Sequence, residues 1–160
     1  MGKKINIELI VILAILSFSL IAAYVIEYGL GHAPCKLCIY QRVPYLFSIF
    51  LILNILLAKK YIKLSLLFLA IFSLCGSALA FYHFGIEQGF FSETLVCETG
   101  NQINILSKEE LLDQLKKQTV SCKEVTFKVF GLSLASINTI FSFILFCIFI
   151  RLYKNYEINK

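Results

Sequence analysis

Four apolar runs, each free of formal charge, limit what this chain can fold into more than any other feature. They are Leu9–Ile26, Val43–Ala58, Leu64–Phe84 and Val129–Ile150. An α-helix of about 20 residues crosses a hydrocarbon core of roughly 30 Å. The second run is short for a crossing, and Ile39 and Tyr40 extend it. One such run could be the buried helix of a soluble protein, but four in 160 residues leave too little polar chain to cover them. Composition agrees, with 16% of residues charged against about 25% in soluble domains. The reading is an all-α membrane protein, a four-transmembrane-helix bundle. It forms a single integral membrane domain over residues 1–160, with approximate spans 9–28, 43–58, 64–84 and 129–150.

Lys3 and Lys4 before the first run also suit a secretory signal. The apolar stretch exceeds the usual roughly 7–15 residues, however, and no clear Ala-X-Ala site follows. An uncleaved first helix is the better reading. Lys59, Lys60 and Lys63 fill the second junction, and Arg151, Lys154 and Lys160 follow the last run. With four crossings these basic regions share one side, which positive-inside bias assigns to the cytoplasm together with both termini. A short loop, 29–42, and a long one, 85–128, then face the other way. The net charge of +5 is chiefly a topology signal, not a nucleic-acid footprint.

Of six cysteines, Cys35, Cys38, Cys97 and Cys122 fall in those two outer loops, while Cys75 and Cys147 sit inside apolar runs. In an oxidising space, exposed cysteines tend to be paired. Four cysteines allow three pairings, and the sequence does not choose among them. A lone CxxC can exchange disulfides, form an inert clip or hold zinc. Zinc would need two further ligands from Cys97, Cys122, His32 or His83, and the other two thiols form no compact pair, so no metal is expected. Cys35, Cys38 and Arg42 are spaced i, i+3, i+7, so a local helix would stack all three on one face. Pro34 suits a helix start beside Cys35, where free backbone N–H groups favour a thiolate. Arg42 could stabilise an anion there or simply snorkel at the interface. Pro44 stands where it could divide a short CxxC helix from the second span.

"CKLCIYQR" (Cys35–Arg42), "ALAFYHFGIEQ" (Ala78–Gln88) and "CKEVTFKVFGLSLASIN" (Cys122–Asn138) together resemble the disulfide bond formation protein B family. These are membrane oxidases that recharge a periplasmic thiol oxidase. The resemblance runs through nearly the whole chain. It implies four helices enclosing a quinone, ubiquinone or menaquinone, in a bacterial inner membrane. It also implies a thioredoxin-like, DsbA-like periplasmic partner. By the same resemblance Cys35 and Cys38 form the quinone-proximal pair, Cys38 facing the quinone, and Arg42 is the charge-stabilising arginine. Cys97 and Cys122 form the loop pair, with Cys97 meeting the partner. The catalytic set is thus Cys35, Cys38, Cys97 and Cys122; the cofactor-binding set is Arg42, Cys38 and His83. Lys36 stands where many members have proline, Gln41 where many have an acidic residue, and Phe127 where tryptophan is common.

Other residues carry weaker readings. His83 could bond a quinone carbonyl or tune proton transfer, or be a satisfied interfacial histidine. "LSKEELLDQLKKQ" (Leu106–Gln118) reads as a capped amphipathic helix, with Ser107 as cap and Glu110 at N3. It would cover the bundle, lie on the membrane or meet a partner. Asn54 and Asn138 are candidates for interhelical hydrogen bonds, and the small residues around Gly76 for close helix packing. Cys75 and Cys147 read as small packing hydrophobes. Glu27 and Tyr28 need no catalytic role. Two other readings remain: a vitamin-K-reductase-like quinone enzyme, whose CxxC belongs near the last helix, and a disulfide-stapled scaffold without turnover.

Overall fold

The computed structural model describes residues 3–92, 122, 128–129 and 131–158. Four helices are long and apolar enough to cross a membrane. Helix α1 is Lys3–Tyr24 and continues into a π-helical turn, Val25–Gly29; α2 is Lys36–Ala58, α3 is Ile62–Glu87 and α4 is Leu134–Ile158. A two-stranded antiparallel hairpin precedes α4, with β1 (Lys128–Val129) pairing with β2 (Leu132–Ser133). Gly131 turns it at φ 82°, where a side chain would be strained. The chain is a multi-pass all-α bundle whose large outward side chains, such as Ile21, Phe50 and Leu57, are what a lipid-facing surface requires.

The helices differ inside according to height. At the end carrying both chain termini, Leu9, Ile52, Leu66, Phe149 and Leu152 form a dry core to which all four helices contribute. Toward the other end the interior becomes small and polar, with Ser48, Ser73, Gly76, Ser77 and Ser142 buried. These short side chains let helices approach closely. A Cβ added to Gly76 would lie 3.4 Å from Pro44 Cβ, so α3 fits against the ring of α2's proline. Pro44 therefore does not divide the second helix. It lies inside one continuous α2 that already contains the cysteine box, and α3 packs against it.

Local signals fix the helix starts at the end opposite the chain termini. Cys35 caps α2, its backbone extended (ψ 164°) and its sulfur accepting from Cys38 N–H at 3.2 Å. Sulfur thus takes the place usually held by a serine or aspartate oxygen. Ser133 Oγ accepts from the Ser136 N–H at 3.2 Å to start α4 in the ordinary way. The expected helix at Leu106–Gln118 and most of loop 85–128, including Cys97, lie outside the described residues.

Candidate redox site

The N-terminus of α2 brings the CxxC sulfurs together. Cys35 Sγ and Cys38 Sγ are 2.7 Å apart, because positions N-cap and N3 lie over one another on the first turn. Cys35 is buried, while Cys38 is partly exposed. Cys122 is buried in the same small cluster as Cys35, Leu37 and Ile86 and is disulfide-bonded. The Cys35 thiol is lowered from 9.0 to about 5, chiefly by the hydrogen bond from Cys38. Burial opposes this, and His83 and the Cys38 backbone N–H assist it. Cys35, Cys38 and His83 also place their donor atoms within 4.8 Å of one another. Two thiolates on one tetrahedral zinc, each at about 2.3 Å, would stand about 3.8 Å apart. The observed spacing is closer than that.

Behind the pair lies a cavity of about 630 Å³, within the range of sites that take small organic molecules. Phe18, Ile26, Ile137 and Phe141 give it apolar walls, and Cys35, Cys38, Gln41, Arg42 and His83 reach it as well. Cys38 and Arg42, one turn apart on α2, thus border the same space.

Arg42 is held on two sides. Its Nη1 donates to Glu27 Oε2 at 2.5 Å, and its guanidinium lies 4.8 Å from the Tyr24 ring centroid. The ion-paired side chains are only 14% and 18% exposed, so the arginine is enclosed by partners instead of reaching freely to the interface. The π-helical turn aids this placement: Leu30 N–H bonds to Val25 O at 3.1 Å. That widened turn carries Glu27, a residue whose sequence context gave no reason to assign it to the site. A charge bounding an apolar run was its only signal, and π geometry leaves no clear residue pattern.

His83 reaches the same point from α3. Its Nε2 is 3.5 Å from Cys35 Sγ and 3.7 Å from Glu87 Oε1, and its Nδ1 is 3.0 Å from Gln41 Nε2. Asn138 on α4 donates through Nδ2 to Gln41 Oε1 at 2.7 Å, the interhelical bond expected of it. Tyr45 and Ser142 in turn donate to Asn138 Oδ1. Asn54 instead is exposed, as are Cys75 and Cys147. The structure therefore gathers Cys35, Cys38, Arg42, His83 and Cys122 at one end of the bundle. Sequence reasoning did not assign site roles to Glu27, Glu87, Gln41 or Tyr45.

The family described as Disulfide bond formation protein DsbB matches residues 6–152. This chain belongs to the DsbB family. A Rickettsia prowazekii (strain Madrid E) protein described as uncharacterised is 31% identical over 138 residues, covering 85% of this chain and 78% of the relative. DsbB family membership gives the chain an oxidoreductase role in disulfide and quinone chemistry.

Proposed function

We propose that this DsbB family member oxidises a periplasmic thioredoxin-like, DsbA-like protein and delivers the electrons to a membrane quinone. The supporting observation is the Cys35–Cys38 pair, its sulfurs 2.7 Å apart, bordering an apolar-walled cavity of about 630 Å³. The cavity suits a quinone head group: apolar walls meet a polar end where Arg42 can face a carbonyl oxygen. A bound quinone supplies an acceptor for two electrons and two protons. Arg42 would hold a carbonyl through guanidinium N–H groups not turned toward Glu27, while Glu27 balances its charge inside the bundle.

The electron path we propose begins at a Cys97–Cys122 disulfide. A partner thiolate attacks Cys97, and the partner's second thiolate then displaces it, leaving the partner oxidised and the loop pair reduced. Cys122, which packs with Cys35, next attacks the Cys35–Cys38 disulfide at Cys35, and Cys97 resolves the mixed disulfide. Cys38 borders the cavity and is the sulfur from which electrons leave. The Cys35 thiolate supplies the electron pair that closes the Cys35–Cys38 bond again. In sum, two electrons and two protons pass from the partner dithiol to a quinone, giving a partner disulfide and a quinol. The outer loops and their cysteines lie on the periplasmic side in this reading, with both termini in the cytoplasm.

Anaerobic mixing of purified protein, a reduced thioredoxin-like protein and either ubiquinone or menaquinone tests the proposal through quinol formation. Cys38→Ser stops quinol formation, and Cys97→Ser blocks electron transfer from the partner. Full quinol yield in both variants would end the proposal. Two disulfides that the partner cannot reduce would favour the inert scaffold.

A further inference from the structure

We infer that Gln41 and Asn138 form a directed amide relay that fixes His83 as an Nε2–H donor to the Cys35 sulfur. Gln41 is then a positioning residue for the exchanging pair. The inference rests on the proposed role of Cys35–Cys38.

The direction follows from the chemistry of each group. Asn138 Oδ1 accepts hydroxyl protons from Tyr45 and Ser142, so its Nδ2 faces Gln41 Oε1 as a donor. Gln41 must then present its own NH₂ to His83, 3.0 Å from Nδ1. A neutral imidazole has one donor and one acceptor nitrogen. With Nδ1 accepting, the ring proton resides on Nε2, which faces Cys35 Sγ at 3.5 Å and Glu87 Oε1 at 3.7 Å.

Turning both amides over would preserve the count of hydrogen bonds and reverse the relay. The site disfavours that alternative. It would aim a bare Nε2 lone pair at the Glu87 carboxylate, only 3.7 Å away, and withdraw the N–H from a Cys35 thiolate. Gln41 and His83 are 7% and 4% exposed, so water has little access to exchange for either partner. An enclosed hydrogen-bond chain polarises in one direction as a unit.

The relay gives physical meaning to a glutamine, and not a carboxylate, at position 41. A carboxylate can only accept, so it would require a proton on His83 Nδ1. Glutamine donates there and leaves Nδ1 bare. The same ring can therefore hold the Cys35 thiolate without taking a second proton. Other groups around this point are Cys38 and the Arg42–Glu27 pair from α2 and the π-helical turn, His32 from the connecting loop, Glu87 from α3 and the backbone of Cys122.

The test is nitrogen-15 NMR of histidine-labelled, reduced protein in lipid nanodiscs at pH 7. The chain has two histidines, and His32→Gln identifies the His83 signals. The expected parent spectrum shows protonated Nε2 and bare Nδ1. Gln41→Glu moves a proton onto Nδ1, while Gln41→Leu gives mixed tautomers and raises the pH of half-maximal Cys35 alkylation by about one unit, as loss of a charge-assisted hydrogen bond requires. A protonated Nδ1 in the parent, or a bare Nδ1 in Gln41→Glu, would overturn the relay. The parent spectrum decides even if a variant does not fold. It needs neither quinone nor partner, so failure of the relay is separate from failure of the proposed electron transfer.

Discussion

Phe149 and Ser142 lie two turns apart on α4, are 0% and 1% exposed, and inhabit different interiors. Phe149 belongs to the dry core where aliphatic side chains from four helices meet. Ser142 belongs to a polar interior, donating to Asn138 Oδ1 in the network that reaches His83 and Cys35. One end of the bundle is held by packing; the other uses directed hydrogen bonds and one enclosed ion pair to hold a reactive group. The ion pairs show the same contrast. Arg151–Glu8, at the terminal end, is largely exposed on the arginine side, whereas Arg42–Glu27 is enclosed.

The sharpest way to break this comparison is at Cys35. In the reduced protein its alkylation rate should reach half its maximum near pH 5, where an ordinary thiol would do so near pH 9. The folded-state value is depressed, so the associated stabilisation is complete above the ordinary thiol range and is lost as pH falls through about 5. A half-point above pH 8 would remove the distinction between the two ends. Iodoacetamide labelling followed by mass spectrometry, with pH varied, reads it directly.

Substitutions then sharpen it in decreasing order. Phe149→Ala should cost about 3–5 kcal/mol through the cavity left in a packed interior, measured by reversible unfolding in detergent. Glu27→Gln should cost about 2 kcal/mol, between the range for a broken buried pair and that for a surface pair. It should also weaken quinone binding, raising the KM for quinone more than it lowers kcat. Ser142→Ala should cost under about 1 kcal/mol, since single interhelical hydrogen bonds in membranes contribute little. Arg151→Gln should fall in the same small range. Equal losses for Phe149→Ala and Ser142→Ala would mean that the two interiors are held in the same way.

The four crossings were legible because apolar length and missing charge act through simple solvation: a long uncharged run has one stable place. The CxxC spacing and Pro34 likewise identified a helix start, because capping is local. Asn138 was recognisable as a candidate for an interhelical hydrogen bond, but the same signal named Asn54, which is exposed. Pro44 was ambiguous because its ring forbids one hydrogen bond but does not say whether a neighbouring helix will fill the space. Gly76 on α3 fills it, and the helix continues.

The sequence by itself determined a membrane bundle and brought two thiols onto the first turn of a helix, because both follow from short-range geometry and burial. Tertiary structure alone decided which polar groups meet that turn. Glu27 comes from a π-helical turn, His83 from α3 and Asn138 from α4, over separations of 15 to 97 residues in the bonds they make. Hydrogen bonds act over about 3 Å, so their pattern exists only once the helices have packed.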